Sequence, residues 1–165
     1  DIIYYDTGNA DGISTVLFVS GCEAKCKGCH NPQTWDFNYG RKFTENTTSD
    51  IIESLKNPHI KNFVISGGEP LHNRNAFCVS ELCKLIKRET NKTIIVYTGM
   101  TLQELKVQYP YLSCLSYVDY LIDGRFEKEN VTEKLEKRGS KNQKCYKIKH
   151  YGVTNVAVDV TDSYF

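Results

Sequence analysis

Cys22-Glu23-Ala24-Lys25-Cys26-Lys27-Gly28-Cys29 is the stretch that decides how this chain reads. Its cysteines follow a C-x3-C-x2-C spacing, directly after a short apolar run, Thr15 to Ser20, and a glycine, Gly21. Three thiolates on one short loop match three irons of a cubane, whereas a 4Fe–4S cluster ordinarily takes four cysteines. If no protein thiolate reaches the fourth iron, that iron is open to a small molecule. The cluster is then a reactive site as well as an electron carrier. Zinc is the competing reading, but it favours four closed ligands, usually brought as two pairs from separate places. His30 directly follows Cys29, and a residue so close has difficulty turning onto the same ion. Structural disulfides fit less well still. The chain has seven cysteines, an odd number, and the opening residues Asp1 to Asp6 carry no basic segment of a secretory signal.

Working outward, Thr15 to Ser20 is β-rich and ends in glycine, the signal of a buried strand. Residues 1–14 read as an irregular or short-strand lead-in. Asn62 to Ser66 is a second strand, ending in Gly67-Gly68-Glu69-Pro70. Consecutive glycines let a backbone approach a ligand closely. Thr93 to Thr98 is a third strand, ending at Gly99, and Val118 to Ile122 a fourth, ending in Asp123-Gly124. Helical patterns fall between them. Thr47 to Lys56 places Ile51, Ile52 and Leu55 at helical spacing behind capping residues. Asn75 to Glu89 places Phe77, Leu82, Leu85 and Ile86 on one side. Thr101 opens a short helix with a capping-box pattern. This alternation predicts an α/β fold with a parallel sheet, one domain over residues 1–165. Its chemistry belongs in loops at strand C-termini. Tyr146 to His150 and Val156 to Val160 read as a terminal hairpin around Gly152.

Charge and composition narrow the partners. The formal net charge is +1 over 165 residues, so no global charge points to nucleic acid. No stretch is long and apolar enough to span a membrane. Many free cysteines without a secretory signal point to a reducing cytoplasm. Cys78 and Cys83, five apart on one helical pattern, fall about 140° from each other, so they share no face. With Cys114 and Cys145 they read as core thiols.

The cysteine loop resembles the signature of the radical S-adenosylmethionine (SAM) superfamily. The string Cys29-His30-Asn31-Pro32-Gln33-Thr34-Trp35-Asp36 is similar to the glycyl-radical-enzyme activases within it. Leu121-Ile-Asp-Gly-Arg-Phe126 followed by Arg138-Gly139-Ser140-Lys141-Asn142-Gln143 resembles one subgroup, the activating enzymes of anaerobic (class III) ribonucleotide reductase. The resemblance implies a small partial (β/α) barrel of mostly parallel strands. It implies one 4Fe–4S cluster on Cys22, Cys26 and Cys29, with SAM at the open iron. Gly67, Gly68 and Glu69 then meet the methionyl amino group of SAM, and Thr98, Asp123 and Trp35 complete its site. The reduced cluster cleaves the sulfonium, and the 5′-deoxyadenosyl radical takes a hydrogen atom from a backbone glycine of the large reductase subunit. The partners implied are that subunit and an external electron donor such as flavodoxin, with no nucleic acid and no membrane. Hydrogen-atom abstraction requires no general acid or base, and none is evident. One departure stands out: many members carry an aromatic residue before the third cysteine, where this chain has Gly28. Trp35 is the candidate cover for the adenine.

Three rival readings remain beside this one. They are an activase of another glycyl-radical enzyme, such as pyruvate formate-lyase; a radical SAM enzyme acting on a small molecule, such as a deazapurine synthase; and a non-catalytic zinc or redox module. The Arg138 to Gln143 stretch favours the reductase subgroup over the first. From Lys137 to Val158 the chain carries six Lys and Arg residues and no Asp or Glu. That run reads as a solvated basic face or as a surface that steers a large partner.

Overall fold

Ile2 to Asp6 form β1, and four more strands follow: β2 (Ile13–Val19), β3 (Ile60–Gly67), β4 (Thr93–Tyr97) and β5 (Tyr120–Asp123). A computed structural model describes residues 1–131 and 137–163. β2 to β5 pair in parallel and in chain order. Their central residues are buried in continuous runs rather than alternately, as parallel strands covered on both faces must be. The margins differ from the expectation of mostly parallel strands. β1 pairs antiparallel with β2, and the hairpin of β6 (Lys144–Tyr151) and β7 (Thr154–Asp159) joins β5 antiparallel. The result is one seven-stranded sheet in the order β1 to β7, with β1 and β7 at opposite edges.

The two faces of this sheet are unequal. Phe63, Ile65, Ile94, Val96 and Leu121 point into a large core with Ile51, Leu55, Val79, Leu82, Ile86 and Leu105. Those last six lie on α1 (Glu45–Leu55), α2 (Ala76–Glu89) and α3 (Leu102–Gln108). The intervening residues Val16, Val64, Ile95 and Ile122 point the other way, into a small cluster with Ala10 and Cys145. Among the described residues that cluster contains no helical residue. Side chains alternate across a strand, so Phe18, Ser66 and Tyr97 share this helix-free face, two residues beyond Val16, Val64 and Ile95.

Local chemistry explains the helix ends. Thr101 caps α3 as expected: its hydroxyl accepts from Glu104 N at 3.2 Å, and Glu104 Oε2 accepts from Thr101 N at 2.7 Å. α1 starts earlier than the pattern at Thr47 indicates, because Thr44 is the capping residue and its hydroxyl accepts from Thr47 N at 3.3 Å. On α2 the buried stripe is Val79, Leu82, Cys83 and Ile86. Phe77, expected in the core, is 75% exposed, because it lies off that i, i+3, i+4, i+7 stripe. Among the described residues no helix is long and apolar enough to cross a membrane.

Candidate active site

The C-terminal ends of the parallel strands meet the cysteine loop around a cavity of about 420 Å³. Cys22, Cys26 and Cys29 all line it, and so do Trp35, Gly67, Gly68 and Thr98. The sites named from the sequence thus largely converge. Glu69 and Asp123 are the exceptions, since both are buried behind the wall rather than facing the cavity.

The cysteine loop is pinned at its root and sparsely bonded beyond it. Gly21 N donates to Thr34 O at 2.7 Å and Cys22 N to Trp35 O at 3.2 Å, so the Thr34-Trp35 string braces the first cysteine. Within the loop Cys29 N donates to Cys26 O at 3.1 Å. Lys25 (φ +47°) and Gly28 (φ +75°) turn the chain through left-handed conformations. All three thiols are free and partly exposed. Burial raises the Cys22 thiol above its ordinary value, and the Ala24 backbone N–H works against that rise.

This donor set fits an iron–sulfur cluster. Among the described residues no three His, Cys, Asp or Glu side chains converge as they would on one ion. The loop's three thiols line the same cavity, and a cubane engages each thiolate through a different iron. None of the other four cysteines lines the cavity. Cys83, Cys114 and Cys145 are buried, with thiols pushed up to about 12 by burial, and Cys78 is exposed on α2. Thiols held protonated in this way are poor ligands.

The Gly67-Gly68-Glu69 segment extends the β2–β3 pairing into the root of the cysteine loop. Gly68 N donates to Val19 O and Glu69 N to Gly21 O, each at 2.8 Å. A Cβ on Gly68 would lie 2.7 Å from Gly21 O and 3.0 Å from Thr34 O. The protein's own backbone therefore requires glycine here, whatever ligand approaches. Glu69 is 6% exposed. Its Oε1 accepts from Leu71 N at 2.9 Å and from the Thr98 hydroxyl at 2.7 Å, and Oε2 accepts from Gly99 N at 2.7 Å. Burial raises its carboxyl above the ordinary value, with these donors opposing. Glu69 thereby ties the end of β3 to the end of β4 and fixes Thr98 in the wall. Asp123 does the same one strand on. Its carboxylate accepts from Leu102 N, at the start of α3, at 2.6 Å and from Lys144 N at 3.2 Å.

Several lining residues escaped the sequence reading of the site. Phe126 and His30 face the cavity as a ring pair, 4.7 Å apart and tilted by 50°. The Tyr97 hydroxyl lies 2.7 Å from Asn9 O and 2.6 Å from Lys137 O, bridging two loops at the rim. Arg138, Gly139 and Gln143 also line the cavity, although their motif was read as a partner surface. The signal that marks them is their hydrogen bonding to the DGRF segment. Gln143 Nε2 donates to Gly124 O at 2.8 Å, and Asn142 Nδ2 donates to Arg125 O at 2.8 Å. Glu127 N donates to the Ser140 hydroxyl at 3.1 Å.

Comparison with known proteins agrees with this site. The family described as "4Fe-4S single cluster domain" matches residues 8–146. An anaerobic ribonucleoside-triphosphate reductase-activating protein of Pasteurella multocida is 40% identical over 153 residues, covering 90% of this chain and 97% of that one. The protein of the same name from Vibrio cholerae is 40% identical, covering 88% and 96%. The chain belongs to this family of activating proteins. Its reach extends to bacteriophage: the family member of Enterobacteria phage T4 is 39% identical, covering 86% of this chain and 88% of its own. For this member of the activating-protein family, the family match supports an iron–sulfur cluster within residues 8–146.

Proposed function

We propose that this chain is the activase of an anaerobic ribonucleoside-triphosphate reductase and installs a glycyl radical on the reductase's large subunit. In this reading Cys22, Cys26 and Cys29 hold one 4Fe–4S cluster, and SAM occupies the cavity beside it. The observation that carries the reading is the placement of three thiols, and none of the other four cysteines, on a cavity at the C-terminal ends of four parallel strands. The cluster, when bound and reduced, supplies the electron that cleaves the sulfonium of SAM. The chain's residues position and shield. Three such thiols would leave one iron of the cluster without a protein ligand. Thr98, held by Glu69, walls the cavity at β4, and the exposed rim admits a loop of the partner. We read residues 1–165 as one domain and the four-strand parallel core, helices outside and cavity inside, as the partial barrel of the radical SAM type. An external one-electron donor of the flavodoxin kind and a cytoplasmic setting complete the reading. Seven unpaired cysteines support the latter.

The test is anaerobic reconstitution with reductase, reductant and SAM. A glycyl radical seen by electron paramagnetic resonance, with release of 5′-deoxyadenosine, is the expected result. Cleavage of SAM with no radical on the reductase, but turnover of a small molecule instead, would refute it.

A further inference from the structure

We propose that the helix-free face of the β6–β7 hairpin is the docking platform for the reductase's large subunit, and that it takes an acidic, partly apolar surface of that protein. This rests on the activase reading given above and adds where the partner sits. Phe18, Ser66 and Tyr97 line the cavity, and all three lie on the sheet face that carries no helix. The opposite face is covered by α1, α2 and α3. A loop of a large protein therefore reaches the cavity from the helix-free side. The body of that protein then rests on whatever adjoins the cavity there.

The hairpin adjoins it. Gln143 lines the cavity, and Cys145, Lys147, Lys149 and Tyr151 follow on one face of β6, because side chains alternate along a strand. Cys145 belongs to the small core cluster of the helix-free side, which fixes the phase. Register places Val158 beside Lys147 and Val156 beside Lys149. Lys147 stands about 13 Å along the strand from Gln143, four residues at the strand rise, and from there the covering stops. Lys147 and Lys149 are exposed, Val156 is 42% exposed and Tyr151 is 61% exposed. A hairpin face left to water carries polar residues throughout; here lysine and valine lie side by side. The charge is of one sign. Lys147 Nζ stands 5.9 Å from the centre of the Tyr120 ring, and neither Lys147 nor Lys149 enters an ion pair among the described residues. Asp159, the one acid in the two strands, is paired in register with Tyr146 on the other face and lies 3.3 Å from Lys144. Two unpaired cations beside exposed valine and tyrosine suit carboxylates set in apolar surface, and they steer such a partner toward the cavity.

The experiment titrates anaerobic, cluster-loaded protein with the reductase's large subunit by calorimetry at two ionic strengths, beside glycyl-radical yield. Lys149→Glu should weaken the complex about fivefold at low salt, the scale of a charge lost from a steered interface. That loss should shrink toward roughly 0.5 M salt. Val156→Thr keeps the β-branched shape and removes apolar surface. It should weaken the complex about threefold at both salt concentrations, roughly the loss of one buried methyl. Lys106→Glu, on α3, makes the same change in net charge on the helical side and should alter affinity by less than about twofold. Iron content, melting temperature and 5′-deoxyadenosine release without reductase should stay at wild-type values in all three, because none of these side chains lines the cavity. Equal losses in Lys149→Glu and Lys106→Glu would reduce the effect to net charge and overturn the proposal. Unchanged affinity in both hairpin variants would overturn it as well. So would a changed oligomeric state of Lys149→Glu protein alone, which would make this face an interface between copies. Loss, in that variant, of a duplex oligonucleotide that wild-type protein binds would give the face to nucleic acid and have the same consequence. Wild-type protein that neither binds the reductase nor leaves a glycyl radical on it would sink the activase reading itself, a result separate from any difference among the variants.

Discussion

The cysteine loop and the Arg138-to-Gln143 segment face each other across one cavity and are held in opposite ways. The cysteine loop is anchored at Gly21 and Cys22, and beyond them one backbone bond joins Cys29 to Cys26. In the proposed reading a cluster joins its three thiols. The other segment completes itself. Gln143 Oε1 accepts from Gly139 N at 2.8 Å and Ser140 N at 3.1 Å, while its amide reaches back to Gly124 O. One wall is thus left for a cofactor to finish, and the other is rigid before anything binds. Preorganisation on one side and adaptability on the other suit the proposed site, which would first accept a cluster and then hold a small molecule in register.

The largest expected effect removes what the first wall waits for. Ala at Cys22, Cys26 or Cys29 should abolish radical formation on the reductase, with no measurable yield by electron paramagnetic resonance. The melting temperature of cluster-free protein should barely move, because the three thiols are partly exposed and only the neighbouring backbone N–H groups of Ala24 and Lys25 engage Cys22. Ala at Cys78, exposed on α2, should leave iron content at the wild-type value. Iron lost from the Cys78 variant would overturn the ligand assignment.

Breaking the second wall should do the reverse. Gln143→Ala strips partners from two backbone N–H groups and one carbonyl, and Gln143 is buried. Unsatisfied buried groups cost about 1–3 kcal/mol each; with partial relaxation the loss should be roughly 3 kcal/mol. At this chain length that lowers the melting temperature by roughly 6–12 °C. The loss should appear equally with and without the cluster. A loss confined to cluster-loaded protein would erase the contrast between the walls.

Gly68→Ala separates the two at their shared root. A Cβ would press on Gly21 O and Thr34 O, and overpacking of this kind costs about 1–3 kcal/mol. Thermal unfolding of cluster-free protein should therefore already show the defect. A variant of unchanged stability that fails only to bind SAM would return Gly68 to the role of ligand contact.

These contrasts also mark how far the sequence could be read. The strands β2 to β5 and the thiol spacing were legible, because apolar runs ending in glycine and a ligand spacing are local signals. Both members of the β6–β7 hairpin were legible from alternation around Gly152. The roles of Glu69 and Asp123 were not: their partners, Thr98 and Gly99 for one and Leu102 and Lys144 for the other, lie about twenty to thirty residues away. A carboxylate after two glycines looks the same in sequence whether it meets a ligand or braces the next strand. Phe77 misled for a related reason. Its hydrophobicity was visible, but the phase of the stripe on α2 is set by what packs beneath it.

The smallest expected effect sharpens the second wall. The basic run that contains it is uneven in the fold. Arg138 is engaged by Gln143 O, Lys137 Nζ donates to Thr7 O at 3.1 Å, and Lys144 lies 3.3 Å from Asp159. Lys141 is exposed, and among the described residues only its backbone N–H is used, donating to Asn130 O at 2.9 Å. If the segment holds itself together through Gln143, Asn142 and Ser140, the Lys141 side chain contributes charge and nothing else. Lys141→Ala should then leave the melting temperature within a degree or so, since isolated surface charges carry little stability. SAM cleavage without the reductase should also stay at the wild-type rate. Activation of the reductase should slow about twofold at low salt, as expected when one steering charge is lost near a docking rim. The gap should close toward roughly 0.5 M salt, where screening shortens the reach of every surface charge. The measurement is the rate of radical appearance at two ionic strengths, beside 5′-deoxyadenosine release. A defect that persists at high salt would mean that Lys141 makes a fixed contact with the partner. A drop in melting temperature would mean that the wall is not self-supporting.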